Sequence, residues 1–286
     1  MCRVLEVSRS GYYKWLKNRS NTPSDFEKRK QIILNLIKRL FHESLGTYGA
    51  PRIHKDLLAA GYKVSMRTVG RYMRELGLRA FPKTPYTATT DSDHAHPVYD
   101  NLLTQQFETE APNKVWVSDI TYIWTAEGWV YLATVLDLYS RKIVGWNMAD
   151  HMRTDLPLVA LKKAITARQP KAGLIHHSDR GFQYASSQYR ENLDSIQASG
   201  SMSRTGNPYD NACAESFFAT LKKEFVNPRE FKTRKEAIER INWYIGHFYN
   251  EKRRHSRNNY LSPNQFERGE IELHEESLMS FLLARE

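Results

Sequence analysis

Three acidic residues stand where an acid is expensive. Asp119 lies inside the apolar, β-branched run KVWVSDITYIWT, Asp179 closes the short run GLIHHSD, and Glu215 sits among alanines and phenylalanines in NACAESFFATLKKEF. A carboxylate beside a core face is costly unless something positive meets it. For Glu215 the plainer partner is Lys222, or another chain segment. The alternative partner is a metal ion. Three converging carboxylates repel one another, and a divalent cation between them relieves the repulsion. Oxygen donors select hard ions such as Mg2+ or Mn2+. Two such ions, about 4 Å apart, activate a water or a 3′-hydroxyl and stabilise the leaving oxygen of a phosphodiester. The sequence has no Walker motif, no GxGxxG and no GxSxG. Asp137 and Asp150 are competing strand acids, and Asp137 is read as a structural or supporting acid, not a ligand.

The elements that must position these acids follow from periodicity. On a strand, alternate residues share a face, so Val117, Asp119 and Thr121 lie on one side and Trp116 and Ser118 on the other. Drawn as a helix, the Glu215 segment puts Ala214, Phe217, Phe218, Leu221 and Phe225 on a core stripe. Ser216, Thr220, Lys223 and Glu224 fall on the opposite, solvated side. Glu215 lies at the stripe's edge, with Asn211 one turn before it and Lys222 two turns after it. Asp210 is expected to cap this helix. Around it, residues 114–125, 128–140 and 141–150 read as three successive antiparallel strands. A helix at 155–168, a buried strand ending at Asp179, a helix at 186–194, a weak strand near 196–203 and a long helix at 234–250 follow. Strands followed by alternating helices and strands predict a mixed α/β layer architecture.

The N-terminal third differs. Residues 25–43 carry a helical pattern with Ile32, Ile33, Leu36, Ile37 and Leu40 on one face. Two short helices at 51–60 and 66–76 are joined at AGYKVS, where Gly61 suits a helix end and Ser65 a helix start. The second offers Arg67, Arg71 and Arg74 away from Val69, Tyr72, Met73 and Leu76. That is a helix-turn-helix pattern with a DNA-facing side. Residues 2–17 look like the second half of a further helix-turn-helix whose first helix lies upstream. Residues 84–110 read as an acidic, Thr-rich linker. Its DSDHAH cluster offers metal-binding types but is read as solvated chain.

Charge supports a polyanionic partner. The 286 residues carry a net charge of +10, and residues 1–83 alone hold 18 Lys and Arg against 6 Asp and Glu. Residues 228–268 hold 10 against 5. A basic surface of this kind suits nucleic acid. Cys2 and Cys213 provide neither zinc spacing nor a disulfide framework. No segment has the length of a membrane span and no signal peptide is legible, so a soluble protein of a reducing, cytoplasmic compartment is expected.

The words around the three acids carry a specific resemblance. PNKVWVSDITYI, YLATVLDLYSRKIVGW, HHSDRGFQY, SMSRTGNPYDNACAESFFATLKKE and YIGHFYNEKRRHS…YLSPNQFE, with 35 residues between Asp179 and Glu215, resemble the second-reading-frame transposases (OrfB) of the insertion-sequence-three family. These share the DDE core of retroviral integrases. The segment YGAPRIHKDLLAAGYKVSMRTVGRYMRELGL resembles the helix-turn-helix that precedes that core. The resemblance covers nearly the whole chain. It implies a ribonuclease-H-like core over 111–227, preceded by a DNA-binding region (1–83) and the linker (84–110), and followed by a helical, basic extension (228–286).

It further implies that Asp119, Asp179 and Glu215 are catalytic and hold two Mg2+ (or Mn2+) ions. Lys222 would contact a terminal base or phosphate. Asp210 and Asn211 would shape the active-site loop, Asn211 and Arg180 would touch DNA, and His177 and Asp137 would support the acids from behind. The expected activity is metal-dependent 3′-end cleavage and strand transfer by a copy-out, paste-in route, on terminal inverted repeats and target DNA. The working form would be at least a dimer, joined to the upstream reading-frame product. A ribonuclease-H-like nuclease that only hydrolyses, and a DNA-binding regulator with a silent core, are the competing readings. In RRHSRNNYLSP, Arg257, Asn258 and Asn259 stand where the family usually has a small Leu-Gly pair.

Overall fold

The computed structural model describes residues 2, 4, 6–19, 23–80, 99–204 and 208–269. The chain divides into two compact units, Met1–Ala80 and Phe81–Glu286.

The first unit is helical: α1 (Arg9–Arg19), α2 (Asp25–Glu43), α3 (Ala50–Ala59) and α4 (Met66–Glu75). Helix α2 starts on a reciprocal cap. The Ser24 hydroxyl accepts from the Glu27 amide at 3.3 Å, and the Glu27 carboxylate accepts from the Ser24 amide at 2.8 Å. It buries Ile33, Leu34, Ile37 and Phe41. The expected face is therefore rotated: Ile32 is 48% exposed, because the ridge at i, i+4 and i+8 meets α3 and α4.

Gly61 ends α3 in a left-handed conformation (φ +83°), and the Tyr62 amide reaches back to the Leu57 carbonyl at 2.9 Å. Ser65 caps α4 by accepting from the Thr68 amide. Val69, Tyr72 and Met73 are buried, while Arg67, Arg71 and Arg74 are exposed.

The second unit is a five-stranded sheet with helices. Its elements are β1 (Val115–Thr125), β2 (Gly128–Asp137), β3 (Ile143–Ala149), α5 (Asp155–Arg168), β4 (Ile175–Ser178), α6 (Ser187–Ser195), β5 (Ser199–Met202), α7 (Ala212–Leu221), α8 (Arg234–Trp243) and α9 (Pro263–Glu267). The strand order is β3-β2-β1-β4-β5. The first three strands are antiparallel, β4 runs parallel to β1, and β5 runs parallel to β4. Helix α5 packs Leu156, Ala160, Leu161 and Ala164 against Trp116, Ala133, Val135 and Val144. Gly145 on β3 permits this, since a Cβ there would strike the Ala160 carbonyl and Ala164. The alternate residues Val117, Ile123, Val130 and Leu132 are also buried, on the side of α7 and α8.

Helix α7 buries the expected stripe of Ala214, Phe217, Phe218, Leu221 and Phe225. It then widens into a π-helical turn over Lys222–Val226. The extra residue in that turn swings Glu224 inward, so Glu224 is buried and not solvated as its α-helical position predicts. Helix α8 widens in the same way over Tyr244–Tyr249.

Residues 229–269 are stitched to the sheet. The Asn250 side chain exchanges hydrogen bonds with the Ile143 backbone at 3.0 and 2.9 Å. The Asn258 amide donates to the Ser140 carbonyl at 2.7 Å. The turn at Arg257–Asn259 is thus a packing staple, with Asn259 left-handed at φ 51° and Arg257 paired to Glu108.

Of the segment read as a linker, residues 81–98, including DSDHAH, lie outside the described residues. Residues 99–110 run along β5, where the Leu102 amide donates to the Ser201 hydroxyl and Leu103 is buried.

Candidate active site

Strand register explains how two of the acids meet. β4 pairs with β1 from Ile175 opposite Val115 to Ser178 opposite Ser118. The next residues are Asp119 and Asp179, so Asp179 leaves the end of β4 beside Asp119, which continues in β1. Carboxylates at the carboxyl ends of strands line crevices in open α/β sheets. Asp119 is half-buried and accepts from the Ile120 amide at 2.7 Å. Asp179 accepts from the Gly181 amide at 2.9 Å, which turns the chain away after β4. Helix α7 packs against β1 and brings Glu215, also half-buried, to the same place.

The electrostatics show the convergence. Burial pushes the Asp119 carboxyl well above the usual carboxylate range; Asp179 and Glu215 add to the shift, and Lys222 opposes it. Burial raises Glu215 as well. A carboxyl whose pKa is raised by neighbouring carboxylates needs a cation or a proton to settle that charge. The donors are all carboxylate oxygens, the set that suits a hard divalent ion. Among the described residues, no three His, Cys, Asp or Glu side chains stand close enough together to hold a metal ion as they are placed. The buried Oδ1 of Asn211 has no hydrogen-bond partner, while its amide donates to the Ser118 carbonyl at 3.4 Å. That orphaned acceptor, on the residue before α7, is a further oxygen near the acids.

Lys222 is placed by the start of the π turn. Its ammonium lies 4.7 Å from the centroid of the Tyr122 ring. Burial lowers its pKa, and Tyr122 and Asp119 oppose that.

Asp210 is not the cap of α7. A short 3-10 turn, Pro208–Asn211, intervenes and passes the cap position to Asn211. The Asp210 carboxylate is claimed instead by the Arg204 amide and guanidinium (2.9–3.0 Å), by Asn101 and by Gln105 (both 2.9 Å). These donors, Arg204 first, hold it well below the usual carboxylate range. Asp210 therefore clasps the residues after β5 and the 99–110 segment just ahead of the Glu215 helix.

His177 lies behind the acids on β4, between the Ser201 and Ser203 hydroxyls at 2.8 and 3.1 Å. Burial lowers its pKa to about 4, so it is neutral at physiological pH. Arg180 donates through Nε to the Ser203 carbonyl at 2.7 Å. Asp137 is not brought to the acids. It pairs opposite Trp116, three residues along from the Asp119 level, and accepts from the Asn113 and Tyr139 amides. Arg168 lies 3.4 Å from it. Arg67, Arg71 and Arg74 belong to the other unit.

Sequence reasoning missed two features. His176 joins Ser118 (2.8 Å) to the Tyr189 hydroxyl (3.0 Å) beneath β1; the serines alternating with apolar residues on β1 and β5 are its only trace. Glu224 forms a buried pair with Arg253, which the α-helical period hides.

Three family models match the chain: an HTH-like domain over residues 28–86 and two integrase core domain models over 109–208 and 197–263. The chain is 42% identical to the transposase InsF of insertion sequence IS3A from Escherichia coli K12, covering 93% of this chain and 92% of that protein. The chain belongs to the IS3 family of insertion-sequence transposases. It is also 44% identical to an uncharacterized 31 kDa protein of insertion element IS600 from Shigella sonnei, over 93% of this chain and 97% of that one. Among solved structures, the HTLV-2 integrase catalytic core in complex with magnesium aligns with a TM-score of 0.41 at 16% identity, covering 55% of this chain and 98% of that one. This transposase is thus a DDE polynucleotidyl transferase with a ribonuclease-H-like α/β core and an N-terminal HTH-like domain. Among the described residues, no helix is long and apolar enough to cross a membrane.

Proposed function

We propose that Asp119, Asp179 and Glu215 are the catalytic acids of this transposase and hold Mg2+ or Mn2+, two ions per site. The observation that carries the reading is their convergence: Asp119 on β1, Asp179 one residue past the β4 register partner of Ser118, and Glu215 on α7, which packs against β1, with Asp179 and Glu215 both raising the cost of ionising Asp119. When bound, such ions supply an activated water or hydroxyl and stabilise the leaving oxygen. The chain's own residues hold the carboxylates at the open end of β4, and Lys222 provides the cation that meets a phosphate or terminal base. Asn211 and Arg180 border the same end of the sheet and contact DNA there. Asp210 fixes the entry to α7, and His177 props the β4–β5 floor.

The reaction frees a 3′-hydroxyl at one end of the element. That hydroxyl loses its proton, bonds to a phosphorus near the other end on the same strand, and displaces the 3′-oxygen that phosphorus carried. The circle formed then integrates by the same kind of transesterification. No bond to the protein forms. This is the copy-out, paste-in route. It proceeds on terminal inverted repeats, in an assembly of at least two chains joined to the upstream reading-frame product, in the bacterial cytoplasm at the nucleoid.

The test is a Mg2+-dependent assay on a labelled duplex of the element's own end, with the upstream frame absent and restored. Release of a 3′-hydroxyl and its joining to DNA, both lost in Glu215→Gln and Asp119→Asn while DNA binding stays, is the expected result. Cutting without joining makes the chain a nuclease. Binding without cutting in either form makes it a silent regulator.

A further inference from the structure

Beyond Asp119 the central strand loses a neighbour. β4 ends opposite Ser118, so from Asp119 to Thr125 β1 is paired within the sheet to β2 alone. This hairpin carries three large rings in the open: Tyr122 is 45% exposed, Trp124 59% and Trp129 42%. They contact one another edge to face, Tyr122–Trp129 at 5.0 Å and Trp124–Trp129 at 4.8 Å between centroids. Edge-to-face contact leaves ring faces uncovered. A cross-strand aromatic pair stabilises a hairpin, but that role alone does not call for three half-open rings.

The rings wall a groove of about 530 Å3 whose lining also includes Lys222, Arg229 and Glu230. Lys222 links the groove to the acid-bearing helix: its ammonium lies 4.7 Å from the centroid of the Tyr122 ring, and it follows Glu215 by two turns, where α7 passes into the π turn. Two cations against one acid give the lining a slight positive balance, so it accepts a strand of nucleic acid without being a strong phosphate track.

We propose that this groove holds an unpaired base of the DNA strand being processed, stacked on Trp124 and Trp129, with its phosphate toward Lys222 and Arg229. The inference rests on the strand-transfer reading above. Every base has a π-face, so aromatic stacking accepts any sequence. Where a base beside the scissile phosphate is unpaired, an aromatic platform that stacks it stabilises the opened strand. The hairpin extends from the scissile-phosphate site, which is where such a base emerges.

The full chain is tested without metal, against a labelled short oligothymidine and a blunt duplex, alongside Trp124→Ala, Trp129→Ala and the two Phe replacements. Each Ala variant weakens oligothymidine binding on the order of tenfold. The loss persists at high salt, because stacking is not screened. Phe restores most of it, and blunt-duplex binding stays unchanged. Wild-type affinity for oligothymidine in both Ala variants overturns the proposal. So does unchanged oligothymidine binding with a shift from oligomer to monomer in sedimentation, which would assign the groove to a second copy of the chain. A chain that cuts and joins DNA yet shows no tryptophan effect overturns the groove alone. One that needs both tryptophans for oligothymidine but cuts nothing under Mg2+ overturns the strand-transfer reading alone.

Discussion

Glu224 and Arg253 meet with side chains only 8% and 5% exposed, through two hydrogen bonds of 2.7 Å, and Tyr244 donates to the same carboxylate. Removing one partner of such a pair leaves a buried charge alone. Arg253→Ala should lower the unfolding free energy by about 3–5 kcal/mol, read from the denaturant midpoint. An unchanged midpoint would show that the pair is solvated in solution. At the sheet, His177 and His176 are held neutral by burial, with pKa values lowered from 6.5 to about 4 and about 3. A histidine whose folded pKa is depressed takes up a proton on unfolding between its folded and unfolded values. Stability should therefore fall as pH drops from about 6.5 toward 4, by roughly 3 kcal/mol per histidine. Thermal melts across this window check the slope, and His177→Gln should flatten part of it. A melting temperature independent of pH there would contradict the buried neutral state.

At the scale of elements, two contacts make predictions. Helix α5 lies so close on β3 that Gly145 has no room for a Cβ. Gly145→Ala should cost about 1–3 kcal/mol by overpacking and lower the melting temperature; a neutral effect would mean α5 can slide. Helix α4 presents Arg67, Arg71 and Arg74 on its open side. If they contact phosphates, each change to Ala should weaken duplex binding and reduce the slope of log K against log salt by about 0.9. A loss confined to one base sequence, with the slope intact, would make that arginine a base reader.

At the scale of the whole molecule, the two compact units divide the labour. Residues 1–83 hold 18 Lys and Arg against 6 acids, and the three acids of the site all lie in the second unit. Residues 81–286 expressed alone should unfold cooperatively and retain Mg2+-dependent hydrolysis of short oligonucleotides. Their duplex affinity should fall and its salt dependence should become shallower than that of the full chain, which binding isotherms at low and moderate salt will show. Equal affinity with and without residues 1–80 would move the DNA-binding surface onto the core.

Periodicity and residue type alone laid out most of the elements and singled out the candidate acids. Period-two alternation located β1 to β3, the apolar stripe of α7 was legible from Ala214 to Phe225, and Gly61 and Ser65 marked the turn before α4. The cost of Asp119, Asp179 and Glu215 on apolar elements marked them as candidates, because a charge on a core face is a local fact. Tertiary structure decided what no local pattern encodes. The β1–β4 register set Asp119 beside Asp179. The π turn after Leu221 turned Glu224 inward to Arg253, 29 residues on. Asp210 left the helix cap for three donor residues from two segments. The early end of β4 opened the hairpin that carries Tyr122, Trp124 and Trp129. Each outcome depends on which strand ends first or which helix packs where, and those are properties of the assembled sheet rather than of any stretch of chain.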